Sequence, residues 1–337
     1  MRRAWIVALT LCAACALPAA SASARVACAY VDAEIPVLTA GNYLDVTLSR
    51  NRDVATVLRA GDEIKVRNGD GASVTCQGTA PTVANVDAIH IRQADPPADE
   101  NTLPTDPPPD NPPPPPLKGA GGRIDLGGGQ LAPGVTDEGN GSSEIEVTVD
   151  LYGPGNFTYV NGTAAADRIR FGMRNGEPAA NLNPTVDGAN ADADLFASGI
   201  GFVGAVGRNG PDLLSAGGGS EFAGPLAGRI GFALHGGNGA DVLLGHDGFD
   251  GFYGDSGPDV LRGYGGTDYL YGGDGADELF GSSGRDALIA RDGDNDDRLS
   301  CGTGRDVAFL DRLDGRSSCE GLAPSSFRIP RLVLPGS

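Results

Sequence analysis

Six aspartates, Asp241, Asp250, Asp259, Asp268, Asp277 and Asp286, recur every nine residues without a break. A carboxylate is a hard, anionic oxygen donor. An array of them at fixed spacing suits a hard cation such as Ca²⁺, which draws its ligands from carboxylates and backbone carbonyls. Each aspartate holds position six of a nine-residue row. Between Gly236 and Ile289 the rows read GGNGADVLL, GHDGFDGFY, GDSGPDVLR, GYGGTDYLY, GGDGADELF and GSSGRDALI. Glycine fills positions one and four, where the backbone can bend at positive φ without a Cβ penalty, and an apolar residue fills position eight.

The elements that must carry these carboxylates follow from the same register. Residues seven to nine of a row, Val242-Leu243-Leu244 for example, form a short strand whose middle side chain points inward. Side chains alternate faces along a strand, so positions seven and nine point outward. The inward column is Leu243, Phe252, Leu261, Leu270, Leu279 and Leu288. Residues 236–289 hold ten acidic side chains and two arginines, a net charge of −8. Stacked carboxylates repel one another and oppose the compact state unless a counterion intervenes. Composition alone would also allow acidic, glycine-rich surface loops or a disordered tract; the fixed register of leucine and aspartate argues against both.

These rows resemble the RTX (hemolysin-type) calcium-binding nonapeptide repeat of secreted bacterial proteins. The resemblance implies an all-β architecture, a parallel β-roll or β-solenoid in which two rows make one coil turn. It places Asp241, Asp259 and Asp277 along one edge and Asp250, Asp268 and Asp286 along the other. Each calcium ion would take carboxylates from neighbouring turns and carbonyls from the loops that carry Gly237, Gly239, Gly248, Gly257, Gly266, Gly275 and Gly284. A site absent from the unfolded chain makes metal binding part of the folding free energy, so the segment is expected to fold with calcium. The chain departs from the classical members of that family, which carry a C-terminal export signal, no cleaved N-terminal peptide and long toxin regions.

Weaker rows flank the clean ones. GRNGPDLLS (207–215) supplies Asp212, and AGGGSEF (216–222) puts Glu221 where Asp belongs, followed by an insertion through Pro225-Leu226. GTAAADRI (162–169) and DGANADADLF (187–196) read as decayed rows that keep their strands and lose their ligands. Downstream, Asp297 and Asp306 resume the series. The solenoid is expected to run from residue 143 to 320. DGDNDD (292–297) partly resembles an EF-hand loop but lacks the sixth-position glycine and has Thr303 in place of the bidentate Glu; it reads as a distorted roll turn.

The expected organisation is a signal peptide (1–24), a small β-rich domain (25–95), a Pro/Gly-rich linker (96–122) and a degenerate solenoid region (123–235). The regular repeats (236–289), terminal repeats with a disulfide cap (290–320) and a tail (321–337) complete it. Arg2-Arg3, the apolar run to Ala20 and Ala22-Ser23-Ala24 fit a secretory signal, and no integral membrane segment is expected in the mature chain. The proline-rich stretch is a stiff spacer that should hold two modules apart. Outside the signal, Cys28, Cys76, Cys301 and Cys319 allow three connectivities. Pairing within segments, Cys28 with Cys76 and Cys301 with Cys319, suits an oxidising exterior.

Other chemistries find little support. Gly254-Asp255-Ser256-Gly257-Pro258 spells a serine-protease nucleophile signature but is only the third row in register, and His90, His235 and His246 lack catalytic context. No HExxH or GxSxG motif occurs. A net charge of −19 argues against nucleic-acid binding. Asn140, Asn156 and Asn161 fit a glycosylation pattern. Tyr253, Tyr271 and Ile289, with Tyr269 nearby, line one outward face; they read either as an exposed stripe for a cell-surface glycan, protein or self-association, or as a ladder stacked from turn to turn. The functional expectation is a non-enzymatic, secreted calcium-binding solenoid of structural, adhesive or surface-interaction role. The alternative is a secreted hydrolase or polysaccharide-modifying enzyme that uses the roll for stability, with acids such as Asp192 and Asp194 as catalytic candidates.

Overall fold

The computed structural model describes residues 26–31, 42–50, 52–94, 119–129, 145–152, 155–182, 193–218, 222–226, 230–293, 296–312, 314–319 and 321–322. The signal peptide, most of the proline-rich stretch, Asn140, Asp192 and Glu221 lie outside these. Among the described residues the chain is all-β apart from one 3₁₀ turn, Leu126–Gly128, and no helix is long and apolar enough to cross a membrane.

Two large sheets of 13 and 12 strands face each other across one continuous apolar core. The chain zigzags between them through the repeats. Val242–Leu244 in one sheet pairs in parallel with Val260–Arg262, and that with Glu278–Phe280, a register of eighteen residues. In the other sheet Asp250–Ser256 pairs in parallel with Tyr269–Asp274, and that with Ala287–Ala290. Two rows therefore make one turn, and the whole predicted column, Leu243, Phe252, Leu261, Leu270, Leu279 and Leu288, is fully buried. A third, three-stranded ladder of loop residues (Gly265–Gly266, Ser283–Gly284, Thr303–Gly304) stiffens one edge.

The N-terminal strands correct the two-module expectation. Tyr43–Leu48 pairs in parallel with Ala88–Gln93, which pairs in parallel with Glu146–Asp150. In the opposite sheet Val54–Ala60 pairs with Gly121–Asp125, and that with Phe157–Asn161. The proline-rich stretch thus connects strands of the same stack instead of separating two bodies. Antiparallel strands close the N-terminal end: Val26–Val31 on Tyr43–Leu48, and Val54–Ala60 on Glu63–Asn68. Another antiparallel excursion, Arg168–Arg174 with Glu177–Asn181, turns at Asn175-Gly176, both at positive φ, the requirement of a tight two-residue hairpin.

Two further expectations change. Leu213–Ser215 pairs directly with Val242–Leu244, so AGGGSEF supplies no strand of that sheet; beyond it Ala223 and Gly224 bond Met173, and Leu226 is buried in the core. Gly321–Leu322, assigned to the tail, pairs with Val307–Ala308. Both within-segment disulfides, Cys28–Cys76 and Cys301–Cys319, are formed.

Candidate calcium-binding columns

Each repeat aspartate follows a turn and precedes a strand, and its carboxylate folds back under its own row. A Cβ on Gly236 would collide with Oδ2 of Asp241, and one on Gly263 with Oδ2 of Asp268. Position one is glycine because the carboxylate occupies the space a side chain would take. Position four is glycine for a different reason: Gly257 sits at φ +126° with its Cα against the carbonyl of Gly239 in the preceding turn. Gly239, Gly266, Gly275 and Gly284 share that positive φ. The loop carbonyls are thereby stacked close to the aspartates.

The carboxylates form two ladders. Oδ1 of Asp259 accepts a hydrogen bond from the backbone N–H of Asp241 (2.8 Å), and Oδ1 of Asp277 accepts from Asp259 (2.9 Å). On the other edge Asp268 accepts from Asp250 (3.1 Å) and Asp286 from Asp268 (3.0 Å). Sequence reading nominated these six residues, and the structure brings them into the two expected rows. It also extends both: Asp297 accepts from Asp277 (2.8 Å) and Asp306 from Asp286 (3.0 Å). Upstream, Asp241 accepts from Asp212 (2.7 Å) and Asp212 from Asp167 (2.6 Å). Asp167 belongs to GTAAADRI, so that row keeps its carboxylate. The signal was there in the six-residue step from Gly162 to Asp167, hidden by the missing second glycine.

The second oxygens decide what the columns can hold. Oδ2 of Asp212, Asp241, Asp259, Asp268, Asp286, Asp297 and Asp306 is buried and accepts no hydrogen bond from the protein. An uncompensated buried carboxylate costs several kcal/mol, so it must be protonated or meet a cation. Burial, with neighbouring carboxylates adding to it, raises Asp212, Asp241, Asp259, Asp268, Asp286 and Asp297 above the ordinary value. Asp259 is pushed up to about 8 and Asp268 to about 10. Asp212 and Asp297 rise to about 7 and Asp286 to about 6, burial again the largest cause. Among the described residues no three His, Cys, Asp or Glu side chains converge on one point. An ion here would take one or two carboxylates and complete its shell with the stacked loop carbonyls, which is the donor set Ca²⁺ accepts. The residues present fit that ion.

Two positions are occupied differently. Asp250 opens its column, and its oxygens are taken by His246: Nδ1 lies 2.7 Å from Oδ1, and the His246 backbone N–H donates to Oδ2 at 2.9 Å. Both side chains are fully buried. Burial still raises Asp250, to about 6, while the hydrogen bond from His246 opposes it. His246, without catalytic context in the sequence, closes the end of the ladder. Asp167 is satisfied similarly, by the Thr163 backbone N–H (2.6 Å).

Of the two catalytic candidates, Asp192 lies outside the described residues. Oδ2 of Asp194 accepts the Leu182 backbone N–H (2.6 Å) and serves the fold. Asn156 is 3 % exposed and its Oδ1 accepts the Ala120 N–H, so it is no glycosylation site in the folded chain. The Tyr253, Tyr269 and Ile289 stripe is not an exposed surface: the three are 4 %, 9 % and 0 % exposed.

The repeat segment matches the family model of the RTX calcium-binding nonapeptide repeat in four copies, over residues 234–252, 253–288 and 274–308. No curated protein matches the chain, and no solved structure matches it. Register, buried aspartate ladders and family match converge: residues 234–308 are RTX calcium-binding nonapeptide repeats folded as a β-roll.

Proposed function

We propose that the chain is a secreted, calcium-stabilised β-solenoid whose role at or outside a bacterial surface is structural or adhesive, with folding of the roll coupled to Ca²⁺. The observation that carries this reading is the set of seven buried carboxylate oxygens without a protein hydrogen bond, ranged along the two edges of the roll. Calcium supplies the positive charge that these stacked oxygens lack. Asp212, Asp241, Asp259, Asp268, Asp286, Asp297 and Asp306 hold it from the side chain, and the turn glycines present backbone carbonyls from adjacent turns. The leader-like residues 1–24 and the two disulfides support an extracellular setting. The chain would stay partly unfolded where calcium is scarce and complete its roll outside, where calcium is plentiful.

Far-UV circular dichroism of the chain lacking residues 1–24, titrated with calcium and with magnesium as control, tests the coupling. A cooperative gain of β signal with calcium alone is the expected result. An unchanged spectrum between chelator and calcium would remove the coupled-folding part of the reading.

A further inference from the structure

The column that runs through Asp241, Asp259 and Asp277 begins differently from how it continues. Its position-one glycines are stacked. The carbonyls of Gly207, Gly236, Gly254 and Gly272 each face the position-one glycine of the turn before: Gly162, Gly207, Gly236 and Gly254. Gly162 heads the series, and its own carbonyl accepts a hydrogen bond from Nη1 of Arg208 at 2.9 Å. Nη2 of the same guanidinium lies 2.9 Å from Oδ1 of Asp125. A Cβ on Gly127 would collide with Nη1, so the turn after Gly121–Asp125 is shaped around this group. One side chain of the Phe202–Asn209 strand thereby ties the ends of the next two strands of its sheet, Phe157–Asn161 and Gly121–Asp125.

A turn carbonyl together with a carboxylate is the kind of donor set that the later turns offer to a cation. Here a guanidinium meets it with a permanent charge and a planar fork of donors. Arg208 stands at position two of its row. The residues in register with it on the following turns are Gly237, Asp255 and Gly273, none of them cationic. The aspartates change at the same point. Burial raises Asp167, and the bonds from Thr163 and the nearby Arg208 charge oppose the rise. One turn on, Oδ2 of Asp212 is buried and accepts no hydrogen bond. The other column opens comparably, with the ring of His246, again a position-two side chain, against Asp250.

We propose that Arg208 is the built-in cation of the first turn of this column and does there what calcium does in the turns that follow. The proposal rests on the calcium reading of the columns. Its consequence is a turn that closes without metal and stands ready as the template on which Asp212 and the later ladder assemble when calcium arrives. Arg208 is thus a positioning residue that sets where calcium dependence begins.

The test is hydrogen exchange on the whole chain without residues 1–24, as wild type, Arg208→Gln and Arg208→Lys, each in chelator and in calcium. Arg208→Gln removes the charge and keeps a polar side chain; Arg208→Lys keeps the charge. In chelator the amides of Phe157–Asn161 and Phe202–Asn209 should stay protected in the wild type. In Arg208→Gln they should exchange about tenfold faster, the scale of losing one hydrogen bond to a charged group. Calcium should restore most of that protection, and Arg208→Lys should retain it in chelator. Wild-type protection in Arg208→Gln would overturn the proposal. So would a loss that calcium does not restore, or one equally deep in Arg208→Lys, since either makes Arg208 a packing residue and not a stand-in for the ion. The amides of Tyr269–Asp274 are read in the same samples. If they ignore calcium in the wild type, the calcium reading is overturned and this proposal with it. If they respond while the first turn of Arg208→Gln is unchanged, the role of Arg208 alone falls.

Discussion

The stack before Asn209 and the roll after it share both sheets and are held together by different forces. In the first region most strands are five to eight residues long and bury more than one side chain each. Leu44, Val46, Leu48, Ile89, Ile91, Val147 and Val149 are all fully buried. Two of its buried carboxylates are held by side chain and backbone: Arg92 grips Asp45 with two bonds of 2.8 and 2.7 Å, and Asp167 takes the Thr163 N–H. In the roll, Val242–Leu244, Val260–Arg262 and Glu278–Phe280 are three residues long and bury one apolar side chain each. At about 25 cal/mol per Å² of apolar area, one leucine per row gives little against the entropy of ordering nine residues. The roll also buries Asp241, Asp259, Asp268 and Asp286 with one oxygen unmatched. A solenoid can therefore continue unbroken in topology while its stabilisation passes from apolar core to bound cation.

The largest predicted contrast comes from substituting the ladders. Asp268→Ala, alone or with Asp259→Ala, should weaken calcium-induced folding by well over the ~10-fold typical of changes outside a metal's direct ligands. Asp167→Asn, whose Oδ2 is already satisfied by Thr163, should shift it less than threefold by the same calcium titration, a margin of ~0.6 kcal/mol. Equal effects would erase the distinction between the two regions. Next, Leu261→Ala should destabilise the calcium-loaded roll by about 2–5 kcal/mol, seen in denaturant unfolding, because its row has no second core residue to close the cavity. Removing the Cys301–Cys319 bridge with Cys301→Ser and Cys319→Ser should cost about 3 kcal/mol for a loop of this length, with the loss concentrated at the C-terminal turns.

The smallest effect is that of pH, and it has opposite signs with and without metal. Three ladder aspartates have folded-state values raised above the ordinary 3.8, to about 6 for Asp286, 8 for Asp259 and 10 for Asp268. A raised value means that folding favours the protonated form. Their contribution is fully present below pH 4 and is lost as pH climbs through 6 to 10. In chelator the roll should therefore be more resistant to denaturant at pH 5 than at pH 8. With calcium the ionised form is the one held, so calcium affinity should rise over the same interval. A metal-free roll that gains stability from pH 5 to 8 would contradict the buried-carboxylate account.

The repeat region was legible in the sequence because every row restates the same backbone problem. Glycine marks the carboxylate pocket and the close turn contact, aspartate the ladder, and leucine the core, at a period no other constraint disturbs. The N-terminal strands were visible one by one, as at Tyr43–Leu48 and Glu63–Val66. Their membership in the same sheets was not, since parallel pairing across the proline-rich stretch leaves no periodic mark. Asp167 is hidden in the sequence because Ala165 stands where a row needs its second glycine, although Ile169 pairs in register with Leu214. His246 was missed because position two varies freely among rows. Only the structure shows that its ring stands on Asp250. Tyr253 and Tyr271 share the expected face, but whether such side chains stand open or stack on ring neighbours, as Tyr253 does on His235, is not encoded in any local pattern.

Hydrogen exchange of the whole chain lacking residues 1–24, in calcium and in chelator, tests the central claim most directly. The account predicts that amides of Val242–Leu244, Val260–Arg262, Tyr269–Asp274 and Ala287–Ala290 lose protection in chelator. Those of Tyr43–Leu48, Ala88–Gln93 and Glu146–Asp150 should remain protected. Uniform protection in both conditions would show that the roll stands on its leucine column alone, and the assignment of its stability to calcium would be wrong.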